Sequence, residues 1–317
     1  MIKNRKAVIF GISSYKLKKS EKIFLRKNKP WGIILFSRNI KDIVQLKNLV
    51  MDIKKIFNDN KYPILIDAEG GRVFRLDNII DLSIFSQNFF EKLYKENKKL
   101  FFKKYEIYIN SVSSILKFAG ININTVPVLD IIRKKTHKVI GTRAFSNNEN
   151  TVSILGNVCI NLYKKNKIFC VVKHIPGHGL SILDSHYKTP LVNNSKIELI
   201  KKDFKPFMKC KAMFAMTAHV IYKKYDSQYT ATHSSTIIKK IIRNHIKFKG
   251  ILISDDISMK SLKFSLTENA TKALKAGCNL ILHCNGKLNE MKIISKVVPK
   301  IDKFIQKKTS DFYDFLR

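Results

Sequence analysis

The sequence predicts a single (β/α)8 TIM barrel that spans residues 1–317 as one domain. Eight short apolar runs recur along the chain, and helix-length amphipathic segments lie between most of them. The runs are nearly continuous in apolar residues, which is typical of parallel strands covered on both faces. No linker rich in proline, glycine or serine divides the chain, so one barrel accounts for the whole pattern.

The eight predicted strands follow one another at the spacing that a barrel requires. They are residues 7–12, 32–36, 63–68, 123–131, 169–175, 212–220, 250–256 and 279–284. Segments 40–57 and 195–210 have the apolar spacing of surface helices, and Pro206 should kink or end the second. An open doubly wound sheet is the alternative fold, but no G-x-G-x-x-G motif follows the first strand.

Polar residues stand where these predicted strands end. Because barrel enzymes build their active sites at the C-terminal ends of the strands, these positions predict a site at one mouth of the barrel. The residues concerned are Asp67, Asp130, Lys173, His174, His219 and Asp255.

The charge of the chain is strongly positive, with 60 Lys and Arg against 24 Asp and Glu, a net charge of +36. Such a charge raises the possibility of a polyanion partner such as nucleic acid. The lysines are scattered, however, without a run of five or six that would form a basic arm. We therefore interpret the charge as solvated background and expect no nucleic-acid partner.

The cysteine pattern and the apolar segments bear on the compartment. Five cysteines form no C-x-x-C pair, so the sequence suggests neither a disulfide framework nor a zinc knuckle. The apolar run near the N-terminus is shorter than that of a signal peptide. No uninterrupted apolar stretch elsewhere in the sequence approaches the ~18 residues that span a bilayer. We expect a cytoplasmic monomer without a membrane span.

The stretch VVKHIPGHGLSILDSHYKTP contains His174, His178 and His186 around a Pro-Gly break. The break prevents the helix that would bring the first two rings to one face, and no H-E-x-x-H motif occurs, so we expect no metal. Two interpretations remain. The stretch is a loop that carries a proton-transfer group, or a turn whose histidines satisfy backbone groups.

A second stretch, GILISDDISMK, places two acids at the end of an apolar strand. Successive strand side chains point to opposite sides, so either Asp255 or Asp256, but not both, should reach the barrel centre. A carboxylate nucleophile on a strand and a proton-transfer group on a loop make a workable glycosidase. Alternatively, Asp256 or Ser258 caps the helix that follows.

Six motifs together resemble the NagZ-type β-N-acetylhexosaminidases of glycoside hydrolase family 3. They occur in the family's order, and the resemblance runs from residue 32 to residue 284. The motifs are IDAEGGRVFRL (66–76), GTRAF (141–145), KHIPGHG (173–179), DSH (184–186), MTAHV (216–220) and SDDISMK (254–260).

The resemblance implies a (β/α)8 barrel that removes β-linked N-acetylglucosamine with retention of configuration. It implies that Asp255 is the nucleophile and that His186, oriented by Asp184, is the general acid and base, where most retaining enzymes use two carboxylates. His178 is expected to support the loop. The residues that the resemblance assigns to sugar binding are Asp67, Arg75, Arg143, Lys173 and His174.

By the same resemblance, the substrate is an N-acetylglucosaminyl-1,6-anhydro-muropeptide of cell-wall recycling, and no metal or organic cofactor is needed. The chain departs from the family pattern at three places: Ala68 replaces Gln, Leu180–Ser181 replace Asp-Thr, and Asn279 replaces Asp. Two alternatives stay open. One is an N-acetylglucosaminide phosphorylase on the same scaffold, and the other is an inactive barrel that binds a polyanion.

Overall fold

Eight parallel strands close into a barrel in the computed structural model, which describes residues 2–134 and 136–317. Each strand pairs with its neighbours in sequence, and the first pairs with the last. The predicted (β/α)8 barrel is confirmed. The strands are β1 (Lys6–Gly11), β2 (Pro30–Leu35), β3 (Ile64–Ile66), β4 (Ile123–Asn124), β5 (Phe169–Ile175), β6 (Phe214–Thr217), β7 (Ile251–Asp256) and β8 (Leu280–His283).

Helices surround the barrel, and most connect one strand to the next. They are α1 (Lys19–Asn28), α2 (Ile43–Phe57), α3 (Gln87–Glu96), α4 (Lys98–Ala119), α5 (Glu149–Lys165), α6 (Lys196–Lys201), α7 (Lys205–Met208), α8 (Leu266–Ala276), α9 (Leu288–Val297) and α10 (Lys303–Phe315). A π-helical segment, Ile237–His245, precedes β7. Two short two-stranded sheets pair Ala68–Gly70 with Val73–Phe74 and Leu191–Val192 with Ile221–Tyr222.

Proline shapes two of these elements. Strand β4 is shorter than the predicted run 123–131, because Pro127 lacks the N–H that a continuing strand needs. Segment 195–210 divides into α6 and α7, with Pro206 in the first turn of α7, as predicted.

The predicted helix cap at Asp256 or Ser258 is wrong. Helix α8 begins at Leu266, and the Ser265 hydroxyl caps it by accepting the N–H of Glu268. The Asp256 carboxylate instead accepts the backbone N–H and the hydroxyl of Ser258, at 3.0 and 2.8 Å. These two bonds close a tight turn directly after β7, which delays the helix.

The core is one continuous set of buried apolar side chains inside the barrel and between strands and helices. Helix α10 packs against the end of the barrel at which the strands begin. There the Trp31 indole N–H donates to Thr309 Oγ1 at 2.9 Å, and the Phe312 ring lies 5.9 Å from that of Phe214. Packing at this end leaves the mouth at which the strands end as the place for a site.

Among the residues that the structure describes, no helix is both long and apolar enough to cross a bilayer.

Candidate active site

A cavity of about 270 Å³ opens at the C-terminal ends of the strands. Seven of the eight residues expected from the sequence line it, and the eighth, Asp184, lies behind His186. The seven come from strand ends and from three separate loops, as barrel enzymes assemble their sites. They are Asp67, Arg75, Arg143, Lys173, His174, His186 and Asp255.

Asp255 is the penultimate residue of strand β7, and it lines the cavity whereas Asp256 does not. One of the two acids therefore reaches the barrel centre, as the alternation of strand side chains predicts. Asp255 Oδ1 accepts the backbone N–H of Asp256 at 2.8 Å. Burial acts to raise the pKa of Asp255, but the imidazoles of His219 and His174 outweigh it, so the pKa is lowered and the carboxylate is ionised at neutral pH.

The backbone of Asp256, directly after Asp255, is hydrogen-bonded to His219, a buried residue that follows β6. His219 Nε2 lies 3.0 Å from the Asp256 carbonyl oxygen, which can only accept, so Nε2 carries the proton. Nδ1 lies 2.7 Å from the Thr232 hydroxyl and accepts from it. Burial lowers the pKa of His219, consistent with a neutral ring in this fixed tautomer.

Lys173 joins three acceptors on the floor of the cavity. Its Nζ lies 3.0 Å from Asp67 Oδ1, 3.0 Å from the Thr125 hydroxyl and 2.6 Å from Glu69 Oε1. Burial acts to raise the pKa of Asp67, but Lys173 and Arg75 outweigh it, so the pKa lies well below the usual range. The buried carboxylates are thus ionised and paired.

Glu69 is a site residue that the sequence reasoning missed. Both of its oxygens accept from the Arg143 guanidinium, each at 2.8 Å, and its side chain is almost wholly buried. This bidentate pair fixes the Arg143 plane at the cavity wall. A signal was present, because Glu69 stands two residues after Asp67 and alternate residues of extended backbone share a face.

Asp130 anchors the start of the histidine-bearing loop. Its Oδ1 accepts the backbone N–H groups of His174 and His178, at 3.3 and 2.6 Å, and its Oδ2 lies 2.7 Å from His174 Nδ1. A carboxylate can only accept here, so Nδ1 of His174 carries a proton. These bonds fix the His174 ring at the base of the cavity.

Asp184 and His186 form a compact pair further along this loop. Asp184 Oδ1 accepts the backbone N–H of His186 at 2.8 Å and lies 2.7 Å from its Nδ1. The carboxylate fixes the tautomer and leaves Nε2 for proton transfer. The His186 side chain is 57% exposed, and that of Asp184 is 21% exposed. Burial acts to raise the pKa of Asp184, but its bonds to His186 lower it overall.

Within 2–134 and 136–317, no three or more His, Cys, Asp or Glu side chains are grouped so that they could hold an ion. The histidines of the loop are instead bonded to Asp130, Asp184 and Ser185.

Residues 4–309 match the model of a known family, the glycosyl hydrolase family 3 N terminal domain. The chain belongs to glycosyl hydrolase family 3. It is 35% identical over 300 residues to a beta-hexosaminidase from Psychromonas ingrahamii, covering 92% of this chain and 87% of that protein. A beta-hexosaminidase from Glaesserella parasuis is 32% identical over 289 residues, with 88% and 80% covered.

Among solved structures, this family 3 chain is similar to NagZ from Neisseria gonorrhoeae in complex with N-trifluoroacetyl-D-glucosamine. The two superpose with a TM-score of 0.87 at 28% sequence identity. The match covers 99% of this chain and 90% of the other.

The positions at which this family 3 chain departs from the expected motifs lie away from the reacting groups. Ala68 bonds through its backbone to the Asn124 amide, and the Asn279 side chain accepts from Leu252 N and Arg243. The Ser181 hydroxyl donates to the Leu183 carbonyl at 2.6 Å within the loop. None of these side chains lines the cavity as described.

Proposed function

We propose that this chain is a retaining exo-β-N-acetylglucosaminidase. The beta-hexosaminidase relatives and the similarity to NagZ in complex with N-trifluoroacetyl-D-glucosamine support a glycoside hydrolase that acts on β-N-acetylglucosaminides. The observation that carries the proposal is the joint position of Asp255 and His186 on one small cavity. An ionised carboxylate and an imidazole on one sugar-sized cavity suit double displacement at an anomeric carbon.

In the first step, a carboxylate oxygen of Asp255 attacks the anomeric carbon while the bond to the leaving oxygen breaks. Protonated His186 gives the leaving oxygen its Nε2 proton, and the product is a glycosyl ester on Asp255. The lowered pKa of Asp255 favours this assignment, because the carboxylate is already ionised at neutral pH.

In the second step, neutral His186 takes a proton from water, and the water oxygen attacks the same carbon and displaces Asp255. Two inversions give overall retention. The Asp184 carboxylate stabilises the imidazolium and keeps Nε2 toward the substrate in both steps. A neutral imidazole as the returning base also adds no negative charge beside Asp255.

We propose that the sugar is held by Asp67, Arg75, Arg143, Lys173 and His174. Carboxylate, guanidinium and ammonium groups make charge-assisted hydrogen bonds to sugar hydroxyls and to the acetamido group. The pairing of these groups with Glu69, Thr125 and Asp130 supports the assignment, since their positions are fixed before substrate binds.

We further propose that residues 1–317 act as one catalytic domain on anhydro-muropeptides in cytoplasmic cell-wall recycling, as a monomer and without a metal or cofactor. The family match over residues 4–309 supports the single domain. The similarity to NagZ in complex with N-trifluoroacetyl-D-glucosamine supports only the sugar part of this substrate, and the anhydro-muropeptide part rests on the resemblance of the sequence motifs.

The test is release of 4-nitrophenol from its N-acetyl-β-glucosaminide, with the plain β-glucoside beside it and product anomers followed by NMR. We expect cleavage of the acetamido sugar alone, with the β-anomer formed first. Formation of sugar 1-phosphate when phosphate is added would make the chain a phosphorylase. If folded protein cleaves neither glycoside and binds nucleic acid with steep salt dependence, the enzyme proposal is wrong.

A further inference from the structure

The Asp184–His186 pair needs an external support, because it belongs to a loop that leaves the barrel. We call residues 184–188 the dyad segment. Its backbone bonds are largely internal, since the N–H groups of Tyr187 and Lys188 both donate to the Asp184 carbonyl. The side chains of His186 and Tyr187 extend into solvent, with the Tyr187 residue 68% exposed.

Among the described residues, hydrogen bonds join the dyad segment to the rest of the chain at two places. The His186 carbonyl accepts the backbone N–H of Lys260 at 3.3 Å, in the turn after β7. The Ser185 hydroxyl lies 3.1 Å from Nε2 of His178. Ser185 stands between Asp184 and His186, so this second bond acts on the pair itself.

His178 is held in place by a backbone hydrogen bond and by a ring contact. Its backbone N–H donates to Asp130 Oδ1 at 2.6 Å, and its ring packs edge-on against that of His174, with centroids 5.6 Å apart. The residue is 3% exposed, and burial lowers the pKa of His178 to about 4, so the ring is neutral at pH 7. A neutral imidazole suits a hydroxyl partner, because Nε2 and the Ser185 hydroxyl each donate or accept.

From these contacts we infer that His178 is a positioning residue, which places the Asp184–His186 pair by holding Ser185 against the buried Asp130 anchor. The inference rests on the proposed role of His186 as acid and base. Proton transfer depends on the place of Nε2 relative to the leaving oxygen, and a displacement of about 1 Å costs up to about a hundredfold in rate. His178 itself moves no proton of the substrate.

If His178 has this role, the loss of kcat/KM on its replacement depends on the leaving group of the substrate. The kcat/KM value reports the first step, in which a methyl glycoside needs protonation of its aglycone and a 4-nitrophenyl glycoside hardly does. We expect His178→Leu to lower kcat/KM about tenfold on methyl N-acetyl-β-glucosaminide and less than about twofold on the 4-nitrophenyl compound. Ser185→Ala should give the same selectivity without altering the barrel.

A matched control separates this role from a purely structural one. His233 is also buried, has a pKa that burial lowers to about 4, and makes one ring hydrogen bond, to the Asn269 carbonyl at 3.1 Å. It does not line the cavity. His233→Leu should change kcat/KM on both substrates by the same factor, whatever its effect on the melting temperature.

The variant His186→Ala distinguishes failure of the inference from failure of the proposed function. If His186→Ala lowers kcat/KM equally on both substrates, His186 is not the acid and base, and the inference about His178 is wrong as well. If His186→Ala is selective but Ser185→Ala is not, the inference alone is overturned, even where His178→Leu fails to fold. In the His186→Ala background, adding Ser185→Ala should cause no further selective loss.

Discussion

The two walls of the cavity are built in different ways. The strand wall comprises Lys173 and Asp255 on strands and Asp67 directly after one; it is mostly shielded from solvent and is held by charged partners and by a backbone N–H group. The loop wall is the dyad segment, whose His186 side chain is 57% exposed. The residues proposed to bind and attack the sugar thus lie on or directly after strands, and the residue proposed to transfer the proton lies on a loop.

The largest effect is expected at the strand wall. Asp255→Asn removes the proposed nucleophile and should lower kcat at least about a thousandfold on every substrate, measured as 4-nitrophenol release. Asp256→Asn is the matched control, since its carboxylate closes the turn and does not line the cavity, and it should cost far less. A covalent adduct trapped on a residue other than Asp255 would contradict the assignment.

The loop wall should respond in a selective way. His186→Ala removes the proposed acid and should lower kcat/KM by about 10²- to 10⁴-fold on alkyl glycosides, but far less on 4-nitrophenyl glycosides. The contrast with Asp255→Asn, which should affect both classes, is the sharpest kinetic distinction between the walls. Equal losses at His186 would remove that distinction.

Substitutions in the two walls should also differ in how much they lower the free energy of unfolding. Lys173→Met leaves the buried Asp67 and Glu69 carboxylates without their shared cation and should lower the free energy of unfolding by about 3–5 kcal/mol. Asp184→Asn should cost less than about 1 kcal/mol, because the His186 side chain with which it pairs is 57% exposed and solvent screens the pair. Urea unfolding measures both, with Lys22→Met as a control for loss of a lysine from a surface pair. Similar costs at Lys173 and Asp184 would contradict the comparison.

The smallest expected effect is a difference between the two walls in how the free energy of unfolding depends on pH. The pKa of Asp67 in the folded chain is below its unfolded value of about 3.9, so its stabilisation is present above that pH and is lost as pH falls further. The stability deficit of Asp67→Asn relative to the native chain should therefore shrink between pH 5 and pH 3. For Asp184→Asn, a deficit that is small at every pH is expected. Unfolding midpoints across this range test both.

The sequence predicted the barrel well because its evidence is local. Continuous apolar runs mark buried parallel strands, and polar residues at their ends mark the mouth. The Glu69–Arg143 pair and the anchor role of Asp130 were not predicted, because they depend on which loops meet in space. The cap at Asp256 failed for the same reason, since the Asp256 carboxylate accepts not only from Ser258 but also from Cys284 N at 3.3 Å, 28 residues away.

The compactness of the Asp184–His186 pair has a consequence for how such enzymes diverge. Both bonds that orient His186 come from a single carboxylate oxygen two residues earlier, so three consecutive residues contain the proposed acid and base and the group that fixes its tautomer. Exchange of this loop segment, together with the Ser185–His178 contact that holds it, would change the proposed proton donor while the strands that carry Lys173 and Asp255 stay unchanged.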